Sequence, residues 1–134
     1  MIVDTSALVA VHEGEVDGAQ ILEKMRHEAV LKVSAGTLLE ASIVLDARQP
    51  TRTSRRLDRL IADLNIQIVP VDDEHVRVAR AAYRDFGRGS GHPAGLNLGD
   101  CFAYALASIT GEPLLFKGDD FAQTDVRPAR PVHE

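Results

Sequence analysis

Residues 1–11 read MIVDTSALVAV: a short apolar run ends at Asp4, and a stretch typical of a helix follows it. The same order, an apolar run and then a helical pattern, recurs along the chain. Short apolar strands that alternate with helices predict a parallel α/β sheet. Because such sheets bind ligands beyond the carboxyl ends of their strands, we expect the functional residues there. The predicted strands are residues 1–3, 30–33, 66–71 and 113–116, and the predicted helices are residues 5–11, 15–28, 34–48, 51–64, 72–86 and 98–110.

The composition is that of one globular domain, which we place at residues 1–134. Aromatic residues make up only 4% of the chain, so the core is expected to be aliphatic. The single Cys excludes an internal disulfide framework and a multi-Cys zinc site. The formal charge of −5 argues against a surface that is basic throughout and binds nucleic acid generally. No apolar run approaches the ~18 residues of a membrane span and no export signal is visible, so we expect a cytoplasmic protein without a membrane partner.

Two acidic residues stand out in the first third of the chain. Asp4 ends the first predicted strand, where it is either a helix N-cap or part of a site. Glu40 lies in the middle of a predicted helix, with Ile43 and Val44 on the neighbouring turn. A charge beside apolar neighbours is costly unless it is paired, so Glu40 either reaches water at the edge of the stripe or turns inward toward a cation.

Further acids follow in the last third of the chain. Asp100 lies in the first turn of a very apolar helix, where it either complements the positive helix end or faces an enclosed space. Asp119 and Asp120 follow the last predicted strand and also fit an ordinary acidic turn. Acids brought together at one edge of a sheet repel each other unless a cation neutralises them. Hard, oxygen-ligated Mg²⁺ is the expected cation, with Mn²⁺ as its substitute.

Four segments together resemble the PIN-domain family and, more narrowly, the VapC toxins of bacterial VapBC toxin–antitoxin pairs. They are DTSAL at residues 4–8, TLLE at residues 37–40, LGDCFAYALA at residues 98–107 and LFKGDDFAQTD at residues 115–125. The resemblance covers essentially the whole chain, in order and at the usual spacing. It implies a Rossmann-like three-layer α/β/α fold with a short parallel sheet. It also implies a Mg²⁺-dependent endoribonuclease that acts on RNA, forms a homodimer and is neutralised by a VapB-like antitoxin.

The family's site residues transfer directly to Asp4, Glu40 and Asp100. The fourth acid transfers less cleanly, because many members place it two residues after a Thr or Ser, and here that spacing leads from Phe116 to Gly118. Asp119 and Asp120 are the nearest carboxylates. The sequence does not separate them; our preference is Asp119 on the metal side, with Asp120 ordering the turn before Phe121.

The expected site therefore consists of four catalytic acids with supporting hydroxyls. Asp4 and Asp100 are expected to be the main metal ligands, and Glu40 and Asp119 to hold water ligands or a second ion. Thr5 and Ser6 resemble the hydroxyl-bearing residues that support the site in the family, and Asp120 is a further supporting candidate. Two arginine-rich segments, residues 48–59 and 77–88, are either phosphate contacts or solvated helix faces.

Two other classes compete with the nuclease interpretation. A Mg²⁺-dependent phosphoryl-transfer domain also has an acidic pocket on a parallel sheet, but the dehalogenase-like group expects an Asp-x-Asp motif, and Asp4 is followed by no acid until Glu13. A non-catalytic interaction module would use its acids only as helix caps. Such a module has no reason to place Glu40 in mid-helix against apolar neighbours.

Overall fold

The described residues form a four-stranded parallel sheet in the order β3-β2-β1-β4. The strands are β1 (Ile2–Val3), β2 (Lys32–Ser34), β3 (Gln67–Val69) and β4 (Leu114–Leu115). The computed structural model describes residues 1–48 and 50–131, with the backbone alone at residues 50–54. All four predicted strands are present, each shorter than predicted, and β2 ends at Ser34, one residue beyond its predicted end.

Helices connect the strands and account for most of the described chain. They are α1 (Thr5–His12), α2 (Gly18–Arg26), α3 (Ala35–Arg48), α4 (Pro50–Asp63), α5 (Asp73–Phe86) and α6 (Leu98–Thr110), with a 3₁₀ turn at Asp120–Gln123. Ser34 accepts a hydrogen bond from the backbone N–H of Gly36 at 3.2 Å, which matches its predicted role at the start of α3. Asp72 likewise caps α5 through the N–H of His75.

The sheet separates two apolar cores. Side chains of a strand alternate between its faces, so Val3, Val33 and Leu115 join α1–α4 in one core, whereas Ile2 and Leu114 join α5 and α6 in the other. The architecture is therefore the predicted three-layer α/β/α arrangement. Among the described residues, no helix is long and apolar enough to cross a membrane.

Two helices differ from the sequence prediction. The second begins at Gly18 instead of residue 15, because the preceding residues turn back on α1 and the N–H of Glu15 donates to the Ala10 carbonyl at 3.0 Å. In α5 the helical spacing of Val76, Ala79 and Tyr83 predicts that they form the buried face, but Val76 is 55% exposed and Tyr83 42%. The helix instead buries its His75 and Ala82 side.

Candidate active site

Asp4 lies at the carboxyl end of β1 and is both a helix cap and a buried acid. Its side chain is almost fully enclosed, at 3% exposure. Oδ2 accepts hydrogen bonds from the backbone N–H of Ser6 at 3.0 Å and from the Ser6 hydroxyl at 2.7 Å. Oδ1 is buried and has no hydrogen-bond partner among the residues that the structure describes. Burial raises the pKa of Asp4 from 3.8 to about 6, against the lowering effect of the Ser6 hydrogen bonds.

Asp100 lies in the first turn of α6, and a reciprocal capping arrangement with Asn97 orients it. Its Oδ2 accepts from the Asn97 backbone N–H at 3.0 Å, and its own N–H donates to Asn97 Oδ1 at 2.9 Å. Burial raises the pKa of Asp100 to about 7. The hydrogen bond from Asn97 opposes this rise, whereas the nearby carboxylates of Asp4 and Asp120 add to it. Asp4 and Asp100 are thus close enough for the charge of each to disfavour ionisation of the other.

Glu40 turns inward from α3, as the site hypothesis requires. Its Oε1 accepts a hydrogen bond from the Thr5 hydroxyl at 2.6 Å, and the same hydroxyl lies 3.3 Å from the Thr37 carbonyl. The carboxylate rests against Gly99 of α6, where a Cβ atom would overlap its carboxyl group. The charge of Glu40 also raises the pKa of Asp4. A carboxylate at the edge of the helix that merely reaches water would make none of these contacts.

The last two acids of the predicted set are placed differently from each other. Asp120 meets the carboxyl group of Asp100, where its charge and its hydrogen bond both raise the pKa of that group. Asp119 instead borders a separate hollow that is shared with Asp17 and Arg130. The preference for Asp119 over Asp120 therefore has no support in the geometry, because Asp120 and not Asp119 acts on the carboxyl group of Asp100. The catalytic role of either residue stays a prediction.

Asp4, Glu40 and Asp100 border one open cavity of about 420 Å³ at the carboxyl ends of the strands. Sequence reasoning singled out Asp4, Glu40 and Asp100, and the structure brings these three together. Sequence reasoning also named Thr5 and Ser6 as supporting hydroxyls, but it assigned no role to Glu15, Asn97 or Lys117 of the cavity wall. Asn97 carried a readable signal, since it lies three residues before Asp100 in the spacing of a capping box. Other residues on the wall are Thr5, Ser6, Glu15, Lys117 and Gly118.

The donor set fits a hard divalent cation. All candidate ligands are carboxylate oxygens, and one of them, Asp4 Oδ1, is buried without a partner. Within the described residues, no group of three or more acidic, His or Cys side chains is arranged to hold a metal ion. Mg²⁺ does not need one, because it is usually held by one or two carboxylates and keeps several waters.

The arginine-rich segments lie away from this cavity. Arg48 pairs with Glu13 at 3.0 Å, Arg56 reaches the His12 carbonyl at 3.4 Å and Arg84 pairs with Asp85 at 3.2 Å. The side chain of Arg52 lies outside the described part of the chain. None of the described arginines lines the acid cavity.

Comparison with known proteins identifies a family model and close relatives. The family model described as PIN domain matches residues 1–127. Ribonuclease VapC42 of Mycobacterium tuberculosis (strain H37Rv) is 54% identical over 130 residues, which cover 96% of this chain and 98% of the relative. Ribonuclease VapC28 of the same strain is 50% identical over 129 residues, which cover 96% and 97%.

Solved structures with low sequence identity share the fold. The crystal structure of Mycobacterium tuberculosis VapC20, described as a sarcin-ricin loop cleaving toxin, matches with a TM-score of 0.76 at 16% identity, covering 97% of this chain and 98% of that one. A toxin–antitoxin complex from Klebsiella pneumoniae matches with a TM-score of 0.65 at 19% identity, covering 90% and 89%.

Proposed function

The chain belongs to the PIN domain family, and from that premise we propose that it is a metal-dependent endoribonuclease and the toxin of a type II toxin–antitoxin pair. Relatives that are 50–54% identical over nearly the whole chain are VapC ribonucleases. The observation that carries the proposal is the inward placement of Glu40 beside Asp4 and Asp100. A module that used its acids only as caps has no need of that third carboxylate.

Each side chain of the site has a distinct task in this proposal. Asp4 and Asp100 would hold a divalent cation, Mg²⁺ or Mn²⁺, which would supply a water of lowered pKa and positive charge beside the scissile phosphate. Ser6 orients Asp4 by donating to Oδ2. Thr5 fixes the rotamer of Glu40 by donating a hydrogen bond to its carboxylate. Glu40 in turn accepts a hydrogen bond from the attacking water and so orients that water. We assign the fourth acid to Asp120 because it meets Asp100.

The expected partners are RNA, a VapB-like antitoxin and a second copy of the chain, all in the cytoplasm. A ribonuclease without an inhibitor would damage its own cell, which is why we propose an antitoxin. Exposed apolar side chains beside the acid cavity support the homodimer: Leu39 is 62% exposed, Ile43 61% and Leu98 71%. Clustered apolar surface of this kind is typical of an interaction site.

Cleavage of structured RNAs tests the proposal. Purified wild type should cleave with Mg²⁺ and not with EDTA, and Asp4→Asn or Asp100→Asn should reduce the rate by at least 100-fold while the circular-dichroism spectrum stays native. Asp63→Asn, an exposed change of the same charge on α4, is the matched control. Wild-type cleavage rates in either site variant would contradict the metal assignment.

Expression in cells tests the toxin role separately. Wild type should arrest growth, Asp4→Asn should not, and co-expression of the cognate antitoxin should restore growth. Normal growth at a confirmed level of active wild-type protein would count against the toxin role without affecting the nuclease assignment.

A further inference from the structure

Lys117 is the one cation on the wall of the acid cavity, among the residues that the structure describes. It follows β4 by two residues and so lies at the carboxyl edge of the sheet. Its Nζ donates to Glu15 Oε1 at 2.8 Å, and Glu15 borders the same cavity. Both side chains are about one-third exposed, at 32% and 34%.

The backbone of Lys117 is tied directly to the acid cluster. Its N–H donates to Ser6 Oγ at 2.9 Å, and the Ser6 hydroxyl donates to Asp4 Oδ2 at 2.7 Å. The backbone of Lys117 is therefore linked to Asp4 through a single group, the Ser6 hydroxyl. Its ammonium, in contrast, is held by a partly exposed ion pair, and such pairs contribute little and are screened by salt. The ammonium can therefore exchange Glu15 for another partner at a small free-energy cost, while the backbone of Lys117 stays in place.

The charge of the cavity creates a need for such a cation. The wall carries the carboxyl groups of Asp4, Glu15, Glu40 and Asp100 against the single ammonium. A phosphodiester is itself an anion, and further negative charge develops on its oxygens during cleavage. The two arginines that follow Lys117 most closely in the sequence are occupied elsewhere. Arg127 Nη2 donates to the Gly111 carbonyl at 2.6 Å, and Arg130 Nη2 lies 2.9 Å from Asp17 Oδ2.

We propose that Lys117 binds a phosphate of the RNA substrate and that Glu15 holds its ammonium when RNA is absent. This inference rests on the proposed ribonuclease function and adds a substrate-binding residue to it. An ammonium offers three hydrogen-bond donors and a concentrated charge, which suit the non-bridging oxygens of a phosphate. Entry of RNA exchanges the Glu15 carboxylate for a phosphate, so Glu15 competes with the substrate.

A purely structural role for the pair predicts a different pattern. The ion pair joins the turn after β4 to the segment between α1 and α2, and it could serve only as a brace. In that case the removal of either partner should harm the protein in the same direction. A substrate-binding Lys117 requires opposite effects on RNA affinity: loss when Lys117 is replaced and gain when Glu15 is replaced.

Equilibrium binding of a fluorescein-labelled single-stranded RNA, followed by fluorescence anisotropy with Mg²⁺, distinguishes a substrate-binding Lys117 from a purely structural ion pair. All proteins carry Asp4→Asn, which prevents turnover. Lys117→Met should weaken binding about tenfold and reduce the slope of log Kd against log salt by roughly 0.7, as expected for one lost phosphate contact. Lys24→Met, which removes the same charge from an exposed position on α2, is the matched control and should leave the affinity and the salt slope nearly unchanged.

The double variant decides the role of Glu15. Glu15→Gln should tighten binding about threefold when Lys117 is present and have no effect in the Lys117→Met background. Equal tightening in both backgrounds would mean a general charge effect and would overturn the exchange. Unchanged affinity and salt slope in Lys117→Met would overturn the phosphate contact itself.

Cleavage in the background with Asp4 intact separates this inference from the proposed function. If wild type cleaves RNA and Lys117→Met cleaves it with the same kcat/KM, Lys117 is not a substrate contact although the nuclease assignment stands. If wild type does not cleave, the nuclease assignment fails, and the binding experiment still tests Lys117. Lys117→Arg should recover most of the affinity, because it retains the charge.

Discussion

Replacing Asp4 with asparagine should abolish cleavage and, at the same time, stabilise the metal-free protein at neutral pH. Asparagine keeps the shape of the side chain and an oxygen that can accept from Ser6, so the cap of α1 is preserved. It removes the charge that burial disfavours. The expected gain follows from the pKa of Asp4, which burial raises from 3.8 to about 6.

The sign of the pH dependence follows from proton binding. An acid with a higher pKa in the folded protein binds more protons when folded, so this contribution to stability is lost as pH rises from about 4 to 6. The difference between these two pKa values corresponds to roughly 3 kcal/mol in the free energy of unfolding. For a chain of 134 residues, the unfolding entropy is about 0.28 kcal/mol/K, so the melting temperature should change by about 10 °C.

Thermal melts of wild type and Asp4→Asn in EDTA, between pH 4 and pH 7.5, measure this difference. Wild type should lose stability across the range, and the variant should lose markedly less. The comparison uses the change with pH because a buried asparagine N–H₂ without a partner costs the same at every pH. Mg²⁺ at pH 7.5 should raise the melting temperature of wild type and leave that of the variant nearly unchanged. Parallel pH profiles in EDTA would refute the reasoning, whatever the activities.

Three further predictions concern the rest of the site. Asp120→Asn should reduce cleavage by at least tenfold and Asp119→Asn by much less, because only Asp120 meets the acid cluster; steady-state kinetics of the pair will show whether the order is reversed. Gly99→Ala should displace the Glu40 carboxylate and reduce cleavage at least tenfold in a folded protein, whereas Ser108→Ala, an exposed change on the same helix, should not; equal rates for Gly99→Ala and wild type would mean that Glu40 moves aside without losing its role. Glu40→Gln should leave the metal-free protein at least as stable as wild type, while metal affinity and cleavage fall. Thermal melts with EDTA and with Mg²⁺ measure this, and a Mg²⁺-induced rise in melting temperature equal to that of wild type would contradict it.

The order of strands and helices was predictable because local patterns determine it. The limits of α6 were predicted to the residue, since its apolar run is long and Gly111 ends it in the left-handed conformation. The strands were predicted too long because a strand ends where its neighbour ends, which depends on other parts of the chain. The exposed face of α5 was mistaken for the same reason: which apolar stripe is buried depends on the packing of α5 against α6.

The site was predictable to the extent that single residues carried a signal. Glu40 could be singled out because a carboxylate beside an apolar stripe is costly without compensation. The choice between Asp119 and Asp120 could not be made, because one residue of difference in a turn reverses the direction of a side chain. The Glu15–Lys117 contact joins residues 102 positions apart, and no local pattern reports it.

Helix capping leaves the same carboxylates available for the metal ligation that we propose. The sequence left Asp4 open between a helix cap and a site residue, as if one excluded the other. In the structure Oδ2 of Asp4 accepts both hydrogen bonds from Ser6, which fixes the direction of the carboxylate, and Oδ1 stays without a partner. Asp100 is similarly held through Oδ2 by the N–H of Asn97. A helix N-terminus that orients one oxygen of an acid also presents the other, and this preorganisation is what a site needs if it is to bind a cation without first rearranging its ligands.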